Sequence, residues 1–235
     1  MSFATILVFV ESGGEIWRAI SLWEVRVRVG APGKAKDPFS AALEALREQL
    51  RSGRLVSGEP LTITDLAHDL GLSATPVREA LSRLAGEHLI EDRRGRGYFA
   101  PRLDASDLVE LYGLRCLYLN AALAAYSEAG LPSADASDPA AAPDAQLAQL
   151  LDWIVARAGN RALFDAYRQV GERLASCVRV EAQVFDLVHE VAALRALLAD
   201  RGKLAAGLYR LHDERRRRAP ELIRAMRAGE NIASL

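Results

Sequence analysis

Little in this chain points to covalent, redox or metal chemistry. Two cysteines, Cys116 and Cys177, occur in 235 residues. They have no metal-ligand spacing, and they fit a reducing compartment as small buried thiols better than a disulfide framework. Histidine is scarce too, with four residues. No Ser/His/Asp set, phosphate loop, CxxC or carboxylate pair stands at a recognisable spacing, so an enzyme is not expected. Charge of one sign is also lacking: 30 basic residues face 31 acidic ones, for a net charge of −1. The molecule is no polycation, and any nucleic-acid surface must come from local arrangement of charge. No apolar run reaches the length of a membrane span. The stretch Phe3–Val10 is short, has no basic leader, and runs into Glu11, Gly13, Gly14 and Glu15 rather than a small-residue cleavage site. A cytoplasmic protein with no membrane partner is the expectation.

What is present is a chain that is 50% hydrophobic and 26% charged, enough to bury a core of one or two domains. Three regions are punctuated by turn residues. Residues 1–37 close on Gly30, Pro32, Gly33 and "KAKD". Within them Trp23, Val25, Val27 and Val29 alternate with Glu24, Arg26 and Arg28, the period of a strand with one wet face, and "ATILVFV" reads as a second strand. A mobile extension is the competing reading of the same residues.

Residues 38–103 carry the most informative pattern. Leu43, Leu46 and Leu50 recur at helical spacing until Gly53 stops them. A short second helix follows in "LTITDLAHDLG", with Thr64 expected as its N-cap, Asp65 in the first turn, Leu66, Ala67 and Leu70 facing in, and Gly71 at its end. Ser73 then caps a third helix, Pro76 sits in the first turn where a missing N–H costs nothing, and Val77, Ala80, Leu81 and Leu84 form an apolar stripe. The next residues predict a hairpin: a strand over Leu89–Asp92, a basic turn "RRGRG", and a strand over Gly97–Pro101. Helix, tight turn, helix and hairpin in this order make a winged helix-turn-helix.

Residues 104–235 read as an all-helical bundle of about five helices. Asp104 is the N-cap of a long first helix that contains Arg115, residues 131–146 are a Pro/Ala/Asp-rich loop, and helical stretches lie near 147–158, 161–179, 182–201 and 203–228. The run "HDERRRR" at 212–218 reads as a solvated helix face. The fold class expected is therefore mainly α, an N-terminal winged helix-turn-helix followed by a C-terminal helical bundle.

The third helix carries residues that a core helix does not need. A helix entering a major groove presents its N-terminal residues. The Ser73 and Thr75 hydroxyls, with the free N–H groups of the first turn, suit phosphate oxygens. Arg78 is placed to meet guanine O6 and N7, and Arg83, further along, to meet a phosphate. The wing tip offers Arg93, Arg94 and Arg96, with Gly95 and Gly97 permitting a close approach. Glu44, Glu48, Asp65, Asp69, Glu87 and Glu91 offset these arginines, so DNA binding needs the acids turned away from DNA.

"GLSATPVREALSRLAGEHLIEDRRGRGYF" closely resembles the DNA-binding domain of GntR-type bacterial transcription regulators, over roughly residues 38–102. "LVELYGLRCLYLNAALAA", "AGNRALFDAYRQVGERL" and "LIRAMRAGE" resemble the helical effector domain of the FadR/FCD subfamily, and residues 1–37 lie outside the likeness. The resemblance implies a homodimer on a double-stranded operator with a short pseudo-palindrome, and a small organic effector, of unknown identity, in the helical domain. Family contacts to bases and phosphates fall on Ser73, Thr75, Arg78 and the wing at Arg96–Gly97. Where the family usually has an arginine between Ser and Thr, this chain has Ala74, so an operator sequence does not carry over. Many such effector domains hold a divalent metal on one Asp and three His. Three of those positions are Leu147, Leu151 and Ala219 here, and the fourth lies past Leu235. Leucine and alanine cannot coordinate a metal, so no metal cofactor is expected. Arg115 is the candidate to face an acidic ligand, with a structural ion pair as the competing role. Beside the regulator stands a second reading, a degenerate regulator that works as a protein-interaction module without sensing a ligand.

Overall fold

A computed structural model describes residues 37–126 and 138–233. The two strands expected within residues 1–36 lie outside the described residues, as does most of the loop after Tyr126. Pro38–Leu235 form one compact unit.

The unit begins with α1 (Pro38–Ser52), β1 (Pro60–Leu61), α2 (Ile63–Leu70), α3 (Ala74–Gly86), β2 (Glu91–Arg93) and β3 (Gly97–Phe99). Ala42 and Leu46 of α1, Leu66 and Ala67 of α2, and Val77, Ala80, Leu81 and Leu84 of α3 close a single apolar cluster with Leu61, Leu89, Ile90 and Ala100. The α2–α3 turn is tight because Gly71 adopts φ 63°, a left-handed conformation that lets its N–H reach back to the carbonyls of Ala67 and His68. The N-cap of α2 is Thr62, not Thr64. Thr64 stands in the first turn, where its hydroxyl faces solvent near Asp65.

The expected hairpin is a three-stranded antiparallel sheet in the order β1-β3-β2. Pro60 and Leu61 pair with Phe99 and Tyr98 on the far side of β3. A two-residue strand has no period to detect, which is why β1 escapes a sequence reading. Leu89 and Ile90, read as the start of β2, are instead buried ahead of the ladder. They are drawn inward because His88 turns the chain after α3 with φ 58°.

The helical part comprises α4 (Ala105–Leu123), α5 (Pro143–Ala156), α6 (Arg161–Val178), a 3₁₀ turn (Glu181–Gln183), α7 (Leu187–Leu197), α8 (Arg201–Arg217) and α9 (Ala219–Ala233). Asp104 and Asp107 form a capping box at the start of α4, their carboxylates accepting backbone N–H groups at 2.7–3.0 Å. α5 begins at Pro143, four residues earlier than expected, because proline fits the first turn of a helix. The stretch 203–228 is two helices, divided at Arg218. Leu108, Leu111 and Leu119 of α4 meet Leu150, Leu151 and Ile154 of α5, Leu174 of α6, and Leu204 and Leu208 of α8 in a second apolar core.

The two cores meet along a polar seam at α6. Gln169 Nε2 donates to the Glu87 carbonyl (3.3 Å), Arg51 pairs with Glu172 (3.5 Å), and the Arg179 guanidinium donates to the Ser52 carbonyl. One face of α6 thus grips the ends of α1 and α3.

Candidate nucleic-acid interface

The burial of Val77, Ala80, Leu81 and Leu84 fixes which way α3 turns. Its other side, through Ala74, Thr75, Arg78, Glu79, Ser82 and Arg83, is exposed as one continuous stripe beginning beside the N-cap Ser73. The Ser73 hydroxyl makes no capping bond. The first turn therefore offers a free hydroxyl and free N–H groups, the arrangement that binds phosphate.

The arginines divide into two sets. Arg78, Arg94 and Arg96 are exposed and carry no ion pair among the described residues. Arg83 donates to Glu87 at 2.6 Å, and Glu87 also binds Arg47. Arg93 pairs with Glu91 at 2.8 Å and lies 4.1 Å from the centre of the Phe99 ring. Arg93 is thus part of the wing's own structure, and Arg83 is half committed to the seam behind α3. The sequence offers all five as DNA contacts, since pattern alone does not say which acid an arginine meets. The wing tip turns through Arg94, Gly95 and Arg96, with Arg96 N–H to Arg93 O at 2.7 Å and positive φ at Gly95 and Gly97. Two of the acids that would oppose DNA, Glu87 and Glu91, are neutralised by these internal pairs.

Residues 39–99 match the family model "Bacterial regulatory proteins, gntR family". This part of the chain belongs to the gntR family. The gntR-family region is 43% identical over 58 residues to the Nta operon transcriptional regulator of Aminobacter aminovorans, covering 25% of this chain and 28% of that protein. It is 36% identical over 70 residues to the HTH-type transcriptional regulator McbR of Escherichia coli K12, covering 30% of this chain and 32% of that protein. The chain thus aligns with about three tenths of the length of these relatives. Likeness of fold extends further. The solved structure of E. coli McbR/YncC superposes with a TM-score of 0.60 at 18% identity, over 79% of this chain and 98% of that one. The "putative transcriptional regulator GntR" of Rhodococcus sp. RHA1 superposes with a TM-score of 0.62 at 17% identity, over 78% of this chain and 97% of that one. The helix-turn-helix head and the helical bundle behind it are thus a fold shared with these two solved structures.

Within the bundle the residues singled out earlier take unexpected places. Arg115 is buried against Tyr167, whose ring centre lies 6.0 Å away, and its Nε has no hydrogen-bond partner. Burial pushes its pKa down, but Tyr167 and Glu181 outweigh this and hold it above the ordinary value. The run at 212–218 is no solvated face. His212 and Arg215 are both 1% exposed. Arg215 donates to Glu181 and to Glu190, each at 2.7 Å, and Tyr112 donates to Glu181 at 2.5 Å. Arginine spacing carries no warning of this, because the acids that pair with Arg215 lie 25 and 34 residues upstream. His212 donates Nδ1–H to the Leu208 carbonyl at 2.8 Å. Burial, then the charge of Arg115, lower its pKa to about 3. Leu147, Leu151 and Ala219 are packed in the apolar core. Among the described residues no group of three or more His, Cys, Asp or Glu side chains is placed to hold a metal ion, and no helix is long and apolar enough to cross a membrane.

Proposed function

We propose that this chain is a sequence-specific DNA-binding transcription regulator of the cytoplasm, not an enzyme, acting as a homodimer on a double-stranded operator. One observation carries the reading. A gntR-family helix presents Ser73, Thr75 and Arg78 to solvent, unpaired, while the wing beside it ends in Arg94 and Arg96, neither held in an ion pair among the described residues, Arg96 lying 5.9 Å from the centre of the Phe99 ring. Ser73, Thr75, Arg94, Arg96 and the Gly97 backbone position the duplex through phosphates; Arg78 reads a base. Arg83 adds a phosphate contact only by loosening its pair with Glu87. Arg93 shapes the wing.

The helical domain senses a small organic acid without a metal, with Arg115, whose Nε lacks a partner, as the group that meets it. A second observation favours the other reading, a regulator that works through a protein partner and senses nothing. The buried cation Arg215 is already matched by Glu181 and Glu190. Thermal melts against a panel of small carboxylic acids separate the two.

The DNA reading is tested by salt. Binding of a labelled duplex, followed by fluorescence anisotropy from low to high salt, should weaken steeply for the wild type, with log affinity falling linearly in log salt. Arg94→Ala should flatten that slope on every sequence. Arg78→Ala should cost about 1–3 kcal/mol on one sequence and little on another. Equal, sequence-blind losses for both variants overturn the assignment of Arg78 as a reader.

A further inference from the structure

The seam between the reading head and the bundle leaves a cavity of about 200 Å³. It lies at the base of the wing, where the end of α1, the residues after β3 and the C-terminal part of α6 meet. Its walls carry Arg51, Arg102, Arg173 and Arg179 against Glu91, Asp107 and Glu172. All three acids are already engaged. Glu91 pairs with Arg93 at 2.8 Å, Asp107 accepts the Asp104 N–H at 2.8 Å, and Glu172 lies between Arg51 at 3.5 Å and Arg168 at 3.6 Å. Arg102, Arg173 and Arg179 have no carboxylate partner among the described residues. Arg173 is half-buried in that state, and Arg51 Nε is buried without a hydrogen bond. The turn after α1 is built around one of these cations: Gly53 takes φ 67°, and a Cβ there would overlap the Arg179 guanidinium. Like charges gathered half out of water repel one another, so the fold by itself gains nothing from this set.

We propose that this cavity binds a small phosphorylated metabolite, its phosphate held by Arg102, Arg173 and Arg179. Three features select that chemistry. First, guanidinium forks match phosphate oxygens in pairs, and a dianion is the charge that several unmatched cations accept together. The Ser176 hydroxyl, half-buried on the same wall, adds a donor. Second, Leu55, Leu103 and Met226 give a short carbon chain an apolar wall. Third, the size is restrictive. A cavity of about 150 Å³ admits benzene, so this one holds a phosphate on a few carbons and is too small for a nucleotide. A phosphate of duplex DNA does not reach it, because the cavity lies at the base of the wing against α6 and not at the tip. The site is also separate from the buried centre around Arg115. Once bound, the ligand ties Arg102 of the reading head to Arg173 and Arg179 of the bundle, across the seam that α6 already bridges. The inference stands on the cavity and its charges, independent of whether Arg78 reads a base.

Isothermal titration of the full chain without DNA, at constant ionic strength, tests it, with glycerol 3-phosphate as the probe and glycerol as the control. Glycerol 3-phosphate should bind saturably and raise the melting temperature; glycerol should do neither. Arg102→Gln and Arg173→Gln should each weaken binding at least about tenfold, the loss expected when one charge-assisted donor is removed. Arg94→Gln, which removes an unpaired arginine at the wing tip, should bind as the wild type does. Without the probe, Arg102→Gln and Arg173→Gln should melt no lower than the wild type, because each takes one cation out of a mutually repelling set; an arginine that served only the fold would lower the melt when removed. No saturable binding of glycerol 3-phosphate overturns the proposal, and so does binding that survives both Arg102→Gln and Arg173→Gln. Failure of sequence reading would appear separately, as a duplex affinity set by salt alone.

Discussion

At the scale of single residues, the arginines of this protein fall into three roles that their spacing does not distinguish. Arg78 and Arg94 are exposed and unpaired; Arg83 and Arg93 are exposed or half-buried and paired; Arg215 is interior. Arg93→Ala is therefore expected to act mainly on the wing, through its loss from Glu91 and Phe99. Its salt slope in DNA binding should stay near that of the wild type, whereas Arg94→Ala lowers it. Arg215→Met should be far more damaging, costing about 3–5 kcal/mol in chemical denaturation, because it leaves the Glu181 carboxylate buried without its cation. His212 gives a pH signature. Its folded pKa of about 3 lies below the usual histidine value, so the unfolded chain binds a proton that the folded chain refuses. Stability should be full above about pH 6.5 and fall as pH drops toward 3, with a contribution of about 1.4 kcal/mol per pH unit from this group. The cations facing His212 are Arg115 from α4 and Arg215 from its own helix, and both oppose its protonation. Denaturation midpoints at pH 7 and pH 5 should differ less in His212→Gln than in the wild type.

At the scale of elements, the reading head was largely legible because its signals are local. Gly71, Ser73, Pro76 and the 3.6-residue apolar stripe each say where α3 starts and which way it faces. Gly71→Ala tests one of them. A Cβ at φ 63° meets no neighbour, so its expected cost of about 1–2 kcal/mol in thermal melts is conformational alone. Asp104→Ala should cost about 1 kcal/mol by removing the capping box of α4. What escaped was non-local. β1 is two residues long and exists only because β3 has a free edge for it. The burial of His212 and Arg215 depends on Glu181 and Glu190, which reach them from other elements. The earlier start of α5 was available in Pro143, which reads equally as loop punctuation or as a helix's first turn. Of the candidate site, sequence identified the exposed stripe on α3 and the basic wing, but not which arginines the fold had already engaged.

At the scale of the whole molecule, a gntR-family reading head is held to a helical bundle by α6, which reaches the end of α1 through Glu172 and Arg179 and the end of α3 through Gln169. The opposite side of α6 carries Tyr167 and Cys177 into the buried polar centre around Arg115, Tyr112 and Glu181. A change at that centre thus has a physical route, one helix thick, to the residues proposed to meet DNA. In the proposed homodimer two such heads read sequence as a pair. The measurement that tests it most directly is selection of purified full-length protein on random-sequence duplex DNA, with sequencing of the retained pool. The expected result is enrichment of a short inverted repeat, with half-sites spaced for two recognition helices on one face of the duplex, and loss of one base preference per half-site with Arg78→Ala. A retained pool indistinguishable from the input, with weak binding set by salt alone, would contradict it.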